Sequence, residues 1–265
     1  MQYREKVDLE IERMLAYGTI ERSTTPFINP MLPVNKSNGS VRLCMDAREL
    51  NKRLQPDRDG PEEMEEVLRK CIGSKVMSNI GLTASFWQVP LNENSKKYCG
   101  FKHGGKTYHH DVLPFGTCVS SAGLTRAAEK PLKGLDFVID FVDDWLIISS
   151  NMSQHLENLE NLSTRILLEG ITVNFKKLKL RRSEMKFLGH IITTKGIKID
   201  SEKVEIIEQF ERPSTPKEVR SFLGLINFSL KFTNRIAFLT GPLKWRSTPG
   251  LSGDGVRKNK ERLRR

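Results

Sequence analysis

Cysteine is scarce in this chain. Four residues, Cys44, Cys71, Cys99 and Cys118, are scattered over 265 positions with no C-x-x-C pair. So few thiols argue against a disulfide-stapled secreted scaffold and for reduced cysteines in an intracellular setting, cytoplasmic or nuclear. The five histidines show no ligand spacing relative to those cysteines, which argues against a structural zinc site. Long apolar runs are also missing: none reaches the roughly 18 residues that a membrane span needs. The opening "MQYREKVDLE" is polar and charged, unlike a secretory signal, so neither membrane nor export is expected. Regular alternation of strand and helix is absent too, which excludes a doubly wound parallel sheet.

What is present is length and positive charge. A chain of 265 residues is long enough for two compact units, and 38% hydrophobic with 28% charged residues is ordinary for a folded protein. Lysine and arginine number 43 against 32 acids, a formal net charge of +11. That excess suits a polyanionic partner, nucleic acid being the commonest, although a generally basic protein reads the same way on charge alone.

Periodicity supplies a coarse map. Val7, Ile11, Met14 and Leu15 mark an amphipathic helix over residues 4–17, with Gly18 as its stop. "MLPVNKSNGSVRLCMD" reads as a hairpin with a tight turn at Asn38-Gly39, carrying Lys36 in the turn and Arg42 on the returning strand. "PEEMEEVLRK" (61–70) predicts a helix with Pro61 at its first position and acids in its first turn. Residues 123–135 predict another helix, and apolar residues at 156, 159, 162, 166 and 167 give a third its buried face. "KFLGHIITTKGIKID" reads as short strands around a glycine turn, and Thr215 with Glu218 forms a capping box at the head of a helix over 215–232. The mixture is α+β. Beyond Trp245 the Gly/Ser/Pro-rich and then basic stretch 246–265 reads as a disordered tail.

The sharpest chemical signal is "FVDDWLII", where Asp143 and Asp144 interrupt a β-prone apolar run. Aspartate is a favoured turn residue, so a surface hairpin accounts for the pair. A hairpin-tip site for hard divalent cations also accounts for it, since such ions take carboxylate oxygens and offset the repulsion between adjacent charges. The residues alone leave both readings open.

Other segments weigh in. "PFINPMLPVNKSNGSVRLCMDARELNK", "SFWQVPL", "LPFG" (113–116), "FVDD", "KFLGHII" and "RSFLGLINF" stand in the order and rough spacing of one family. Together they resemble the reverse transcriptase of gypsy-type LTR retrotransposon Pol polyproteins, over nearly all of residues 3–245. The resemblance implies a right-hand polymerase fold with an antiparallel palm sheet. Fingers and first palm elements fall in 1–75, palm with fingers insertions in 76–190, and the end of the palm with a thumb-like region in 191–245. It implies Mg2+ at Asp143 and Asp144, and a deoxynucleoside triphosphate held by Lys36, Arg42, Phe86, Phe115 and Gly116. Phe86 falls on the aromatic that polices the sugar, and Phe187, Leu188, Gly189 and His190 fall on a primer-grip-like hairpin. The implied partner is a primer-template of RNA or DNA; the oligomeric state does not follow.

One position departs from the pattern. The family's first palm strand carries a third catalytic aspartate, and counting back from "SFWQVPL" places Gly81 there. Asn79, two residues earlier, lies on the same strand face but is neutral, and no acid nearby compensates. Losing a metal-binding carboxylate is expected to cost several kcal/mol of transition-state stabilisation. The resemblance also stops after "GPLKW". The chain therefore reads as a reverse-transcriptase-family domain with impaired chemistry, a fragment or decayed copy of a Pol polyprotein. The alternatives are a non-enzymatic nucleic-acid-binding protein and a relic without a role.

Overall fold

The structure, a computed structural model, describes residues 2–36, 39–55, 57 and 62–227. Asn38, Pro61, most of "NFSLKF" and the 246–265 tail lie outside the described residues. The chain divides into two compact units, Met1–Ser183 and Glu184–Arg265.

The first unit opens with α1 (Gln2–Ala16), which buries Ile11 and Met14 and ends as its sequence predicts. Gly18 takes φ +63°, its N–H bonds the carbonyl of Leu15, and the N–H of Thr19 bonds that of Met14, a Schellman closure. After β1 (Ile20–Arg22) the expected hairpin forms from β2 (Met31–Asn35) and β3 (Val41–Met45), in register from Met31 opposite Met45 to Asn35 opposite Val41. A four-residue helix, α2 (Arg48–Asn51), follows. The next helix, α3 (Met64–Lys70), begins later than its sequence suggests, with Glu63 as its N-cap. Its first-turn acids are Glu65 and Glu66, beside the positive end of the helix as expected.

The central element is an antiparallel sheet. Its members are β4 (Val76–Gly81), β7 (Val138–Phe141), β8 (Asp144–Ser149) and β9 (Lys179–Arg182), in the order β7-β8-β4-β9. Between β4 and β7 the chain makes a short helix, α4 (Glu93–Lys96), the hairpin β5 (Gly100–His103) and β6 (Lys106–His110), and the long helix α5 (Ser120–Leu132). The hairpin and β1 form a small sheet, β1-β6-β5, closed over Ile11, Met14, Leu43, Phe101 and Tyr108.

Side chains alternate across the central sheet. Ile80, Leu82, Trp145 and Ile147 face α5 and α6 (Met152–Leu168), where Ala128, Leu135, Leu162 and Ile166 complete the core. Asn79, Gly81 and Asp144 therefore fall on the opposite face. The packed face of α6 differs from the leucine pattern in its sequence. Leu162 and Ile166 are buried and Leu159 is partly so, whereas Leu156 is 53% and Leu167 80% exposed. His155 and Asn158 hold the remaining inward positions instead. The His155 ring joins Ser78 Oγ (Nε2, 2.7 Å) to Ser149 Oγ (Nδ1, 2.9 Å), and Asn158 Nδ2 donates to Ser149 Oγ at 3.0 Å. Hydrogen bonding substitutes here for apolar complementarity, because the sheet offers serines at those positions. At the sheet margin, β9 is exposed at all four residues.

The second unit holds a three-stranded antiparallel sheet of β10 (Glu184–Phe187), β11 (His190–Thr193) and β12 (Gly196–Ile199), as "KFLGHIITTKGIKID" predicts. Two helices follow, α7 (Ser201–Glu208) and α8 (Pro216–Asn227). The capping box closes: Glu218 N–H donates to Thr215 Oγ1 at 3.2 Å, and Glu218 Oε2 accepts from the N–H groups of Ser214 and Thr215.

Candidate active site

The aspartate pair sits at a hairpin tip. Phe141 pairs with Asp144, leaving Val142 and Asp143 as a two-residue loop between β7 and β8. Val142 has φ +60° and Asp143 has none, the pattern of a type II′ turn, whose first loop position favours glycine. The main chain of Asp143 is fixed from the neighbouring strand, since Leu82 N–H donates to its carbonyl at 2.7 Å.

Asp144 opens β8 directly opposite Gly81, the last residue of β4. Burial, and then the adjacent Asp143, push its carboxyl above the usual range, while Lys177, a hydrogen bond from Asn79 and Lys179 act against that rise. Asn79 shares the face with Asp144, as strand alternation requires.

Gly81 has no need of glycine's backbone freedom; it needs the absence of a side chain. Its carbonyl accepts from Asn174 N–H at 2.7 Å, and Leu82 bridges Val173, so the segment entering β9 runs against the end of β4. Lys177 follows in a short 3-10 turn, Phe175–Lys177, capped by the side chain of Asn174. A Cβ at position 81 would lie 2.7 Å from Lys177 Cδ, 3.0 Å from Lys177 Cβ and 3.3 Å from Asp144 Oδ1. The lysine stem therefore covers the glycine, and its ammonium pairs with Asp143 Oδ2 at 3.1 Å. Sequence reasoning found both aspartates, Gly81 and Asn79 but missed Lys177. The basic run "FKKLK" was the available signal, and nothing in it says which lysine turns inward.

A second group of expected residues is also brought together. Arg42 lies over the ring of Phe115 at 4.8 Å, and Phe115 meets Phe86 edge-on with centroids 5.0 Å apart. Gly116 makes this possible. It takes φ +119°, and a Cβ there would lie 2.0 Å from the carbonyl oxygen of Met45, so the loop lies flat against the end of β3. Phe115 accepts from Met45 N–H, and Asn51 grips the loop from both sides, donating to Gly116 O and accepting from Cys118 N–H. Lys36 stands at the head of the β2–β3 hairpin, where burial lowers its pKa and Glu10 opposes the shift. Arg42 is among the charges that act on it. Phe86 follows Gly81 by five residues, at most about 18 Å of extended chain, which keeps the aromatic group close to the aspartates.

These features coincide with a family match. Residues 34–192 match the family described as reverse transcriptase (RNA-dependent DNA polymerase), more than half of the chain. The chain belongs to the reverse transcriptase family. It is 29% identical over 245 residues to the retrovirus-related Pol polyprotein from transposon 297 of Drosophila melanogaster, covering 90% of this chain and 23% of that protein. To the Pol polyprotein from transposon gypsy of the same organism it is 28% identical, over 89% of this chain and 24% of that one. This reverse transcriptase domain thus spans about a quarter of the length of these Pol relatives. Its fold is that of the foamy viral protease-reverse transcriptase solved in complex with double-stranded DNA. The TM-score is 0.86 at 30% identity, over 91% of this chain and 42% of that one. The right-hand polymerase fold expected from the sequence is therefore the fold observed.

The remaining expected residues lie in the second unit. Phe187 ends β10, His190 begins β11, and Leu188 and Gly189 form the loop between them, with φ +50° and +72°. Two positive φ values in a two-residue loop mark a type I′ turn. Phe187 is buried, and His190 is buried with Nδ1 against the carbonyl of Leu188 at 2.9 Å.

Reverse transcriptases as a family use divalent metal ions, and the donors here fit one poorly. Asp143 and Asp144 supply carboxylates, but position 81 supplies none. The space beside it holds a lysine stem, and the nearest cation to Asp143 is that lysine's own ammonium. No catalytic step through a metal is derived for this chain. No helix of the described residues is long and apolar enough to cross a membrane.

Proposed function

We propose that this reverse transcriptase domain binds primer-template nucleic acid and a deoxynucleoside triphosphate, while its template-directed nucleotidyl transfer is impaired, with Mg2+ binding weakened or lost. The observation that carries the reading is the pairing of an assembled Arg42, Phe115, Phe86 platform with Gly81 where the family places a carboxylate. Arg42 and Lys36 would meet the triphosphate, where positive charge balances phosphate as pyrophosphate departs. Phe86 would pack beneath the sugar and disfavour a 2′-hydroxyl. Residues 1–75 are assigned to fingers and first palm elements, 76–190 to palm with fingers insertions, and 191–245 to the end of the palm and a thumb-like region. Phe187–His190 would support the primer end. Nucleic acid as partner is supported by the net charge of +11 and by the duplex in the foamy viral relative. Four unpaired cysteines fit an intracellular setting.

The test combines binding with extension. The logarithm of the duplex binding constant should fall linearly with log salt concentration, with a slope of several phosphate contacts. Primer extension should be at background and unchanged by Asp143→Asn. Robust extension that Asp143→Asn abolishes would overturn the impairment. Affinity without a salt slope would overturn the binding role.

A further inference from the structure

The geometry points to Lys177 as a tethered cation that pairs with Asp143 in place of a metal ion, with Gly81 as the opening that admits it. We propose that the site is self-neutralised: this chain meets Asp143 with its own Lys177 ammonium, and the aspartate pair holds no divalent ion with useful affinity. The inference rests on reading the two aspartates as the remnant of a metal site. It is tested by metal binding alone, so it can fail while the polymerase reading stands.

Three observations converge. The Lys177 backbone is moored rather than free, because Asn174 donates to the carbonyl of Gly81 and accepts from Lys177 N–H at 3.0 Å. Its Cβ is consequently fixed beside the glycine, 3.0 Å from where a side chain at 81 would begin. A lysine tip can swing away from an obstacle, but a Cβ set by the main chain cannot. Second, the ammonium reaches Asp143 Oδ2 at 3.1 Å, and Lys179, on the strand beside Asn79, adds a second positive charge that acts on Asp144. One ammonium in contact with Asp143, and a second cationic side chain acting on Asp144 from the neighbouring strand, reduce the negative charge that would draw a dication. Third, the side chain that shares the sheet face with Gly81 and Asp144 is Asn79, a neutral amide that adds no carboxylate for a cation.

Glycine at 81 and lysine at 177 therefore belong together. A side chain on 81 displaces the lysine stem, and the lysine stem occupies the volume that a third carboxylate requires. Restoring aspartate alone should not rebuild the site.

The measurement is binding of Mn2+ to the full chain, followed by electron paramagnetic resonance of the free ion, with melting temperature against Mg2+ as a second readout. Wild type should show no Mn2+ binding in the millimolar range that Asp143→Asn removes, and no metal-dependent melting shift that Asp143→Asn removes. Lys177→Arg, which keeps the charge, should behave as wild type. Lys177→Met should raise Mn2+ affinity by about tenfold or more. Gly81→Asp with Lys177→Ala should bind more tightly than either single variant, and Asp143→Asn added to that pair should abolish the gain. Saturable Mn2+ binding by wild type as tight as by Lys177→Met would overturn the proposal. So would Gly81→Asp alone matching the double variant, or Lys177→Met and the double variant both remaining as weak as wild type.

Discussion

Gly116 shows how one backbone position can hold a whole group of side chains. The loop it belongs to rests on Met45, and Phe115 bridges Arg42 and Phe86 only while that approach is kept. Alanine there faces two obstacles, a Cβ at 2.0 Å from a carbonyl oxygen and a φ of +119°. Neither is relieved by a side-chain rotation, so the backbone itself must move. Gly116→Ala is expected to cost about 2–3 kcal/mol, or about 4–12 °C in melting temperature. Thermal unfolding checks this; a change below about 1 °C would mean that the loop does not lie as described. The sequence points to Gly116 as part of a nucleotide site, whereas its packing reason, contact with Met45 some seventy residues earlier, becomes visible only in the fold.

The hairpin of β7 and β8 carries the aspartates, and its turn is locally unfavourable. A β-branched residue in the left-handed region costs on the order of 1–2 kcal/mol, and Val142 sits there at φ +60°. Replacement by glycine relieves that cost but adds about 0.5–1 kcal/mol of unfolded-state entropy. The first effect should win narrowly: Val142→Gly is expected to stabilise by about 0.5–1 kcal/mol, measured by urea denaturation. A loss of stability would show that packing of the valine methyls outweighs its strain. Elements of this kind were the most legible in the sequence. The β2–β3 hairpin, the stop at Gly18 and the capping box of α8 each rest on signals local to a few residues. The buried face of α6 was read less well. It depends on Ser78 and Ser149 from two different strands, which make His155 and Asn158 better inward residues than Leu156 or Leu167. The cover over Gly81 was not legible at all, because residues 81 and 177 are joined only by the return of the chain.

Stability of the whole molecule toward acid sums opposing groups. His110 is fully buried, and burial drives its pKa down to about 4 from 6.5, with Asp111 opposing and His109 adding. His155 is lowered by burial and by Arg181. Between pH 6.5 and 4 the unfolded chain binds protons that buried His110 refuses. Its contribution is therefore intact above pH 6.5 and lost as pH falls toward 4. Asp140 works the other way, since burial raises it to about 6 and stability is gained as pH falls through that value. The clean measurement is a difference. Between pH 7 and 4.5, wild type should lose about 2–3 kcal/mol more than His110→Phe, which keeps an aromatic beside Phe101. Equal losses would place the acid sensitivity elsewhere.

The outer strand of the central sheet has a further consequence. An open sheet edge is a template on which another chain can pair, and charge is the common deterrent. In β9 that edge reads Lys-Leu-Arg-Arg with every residue exposed, so the margin repels copies of itself at low ionic strength. The same charges suit a phosphate backbone, and salt screens both interactions alike. Salt high enough to weaken a phosphate contact at this strand thus also lowers the barrier between molecules. Colloidal behaviour and affinity for phosphate are set by the same strip of four residues.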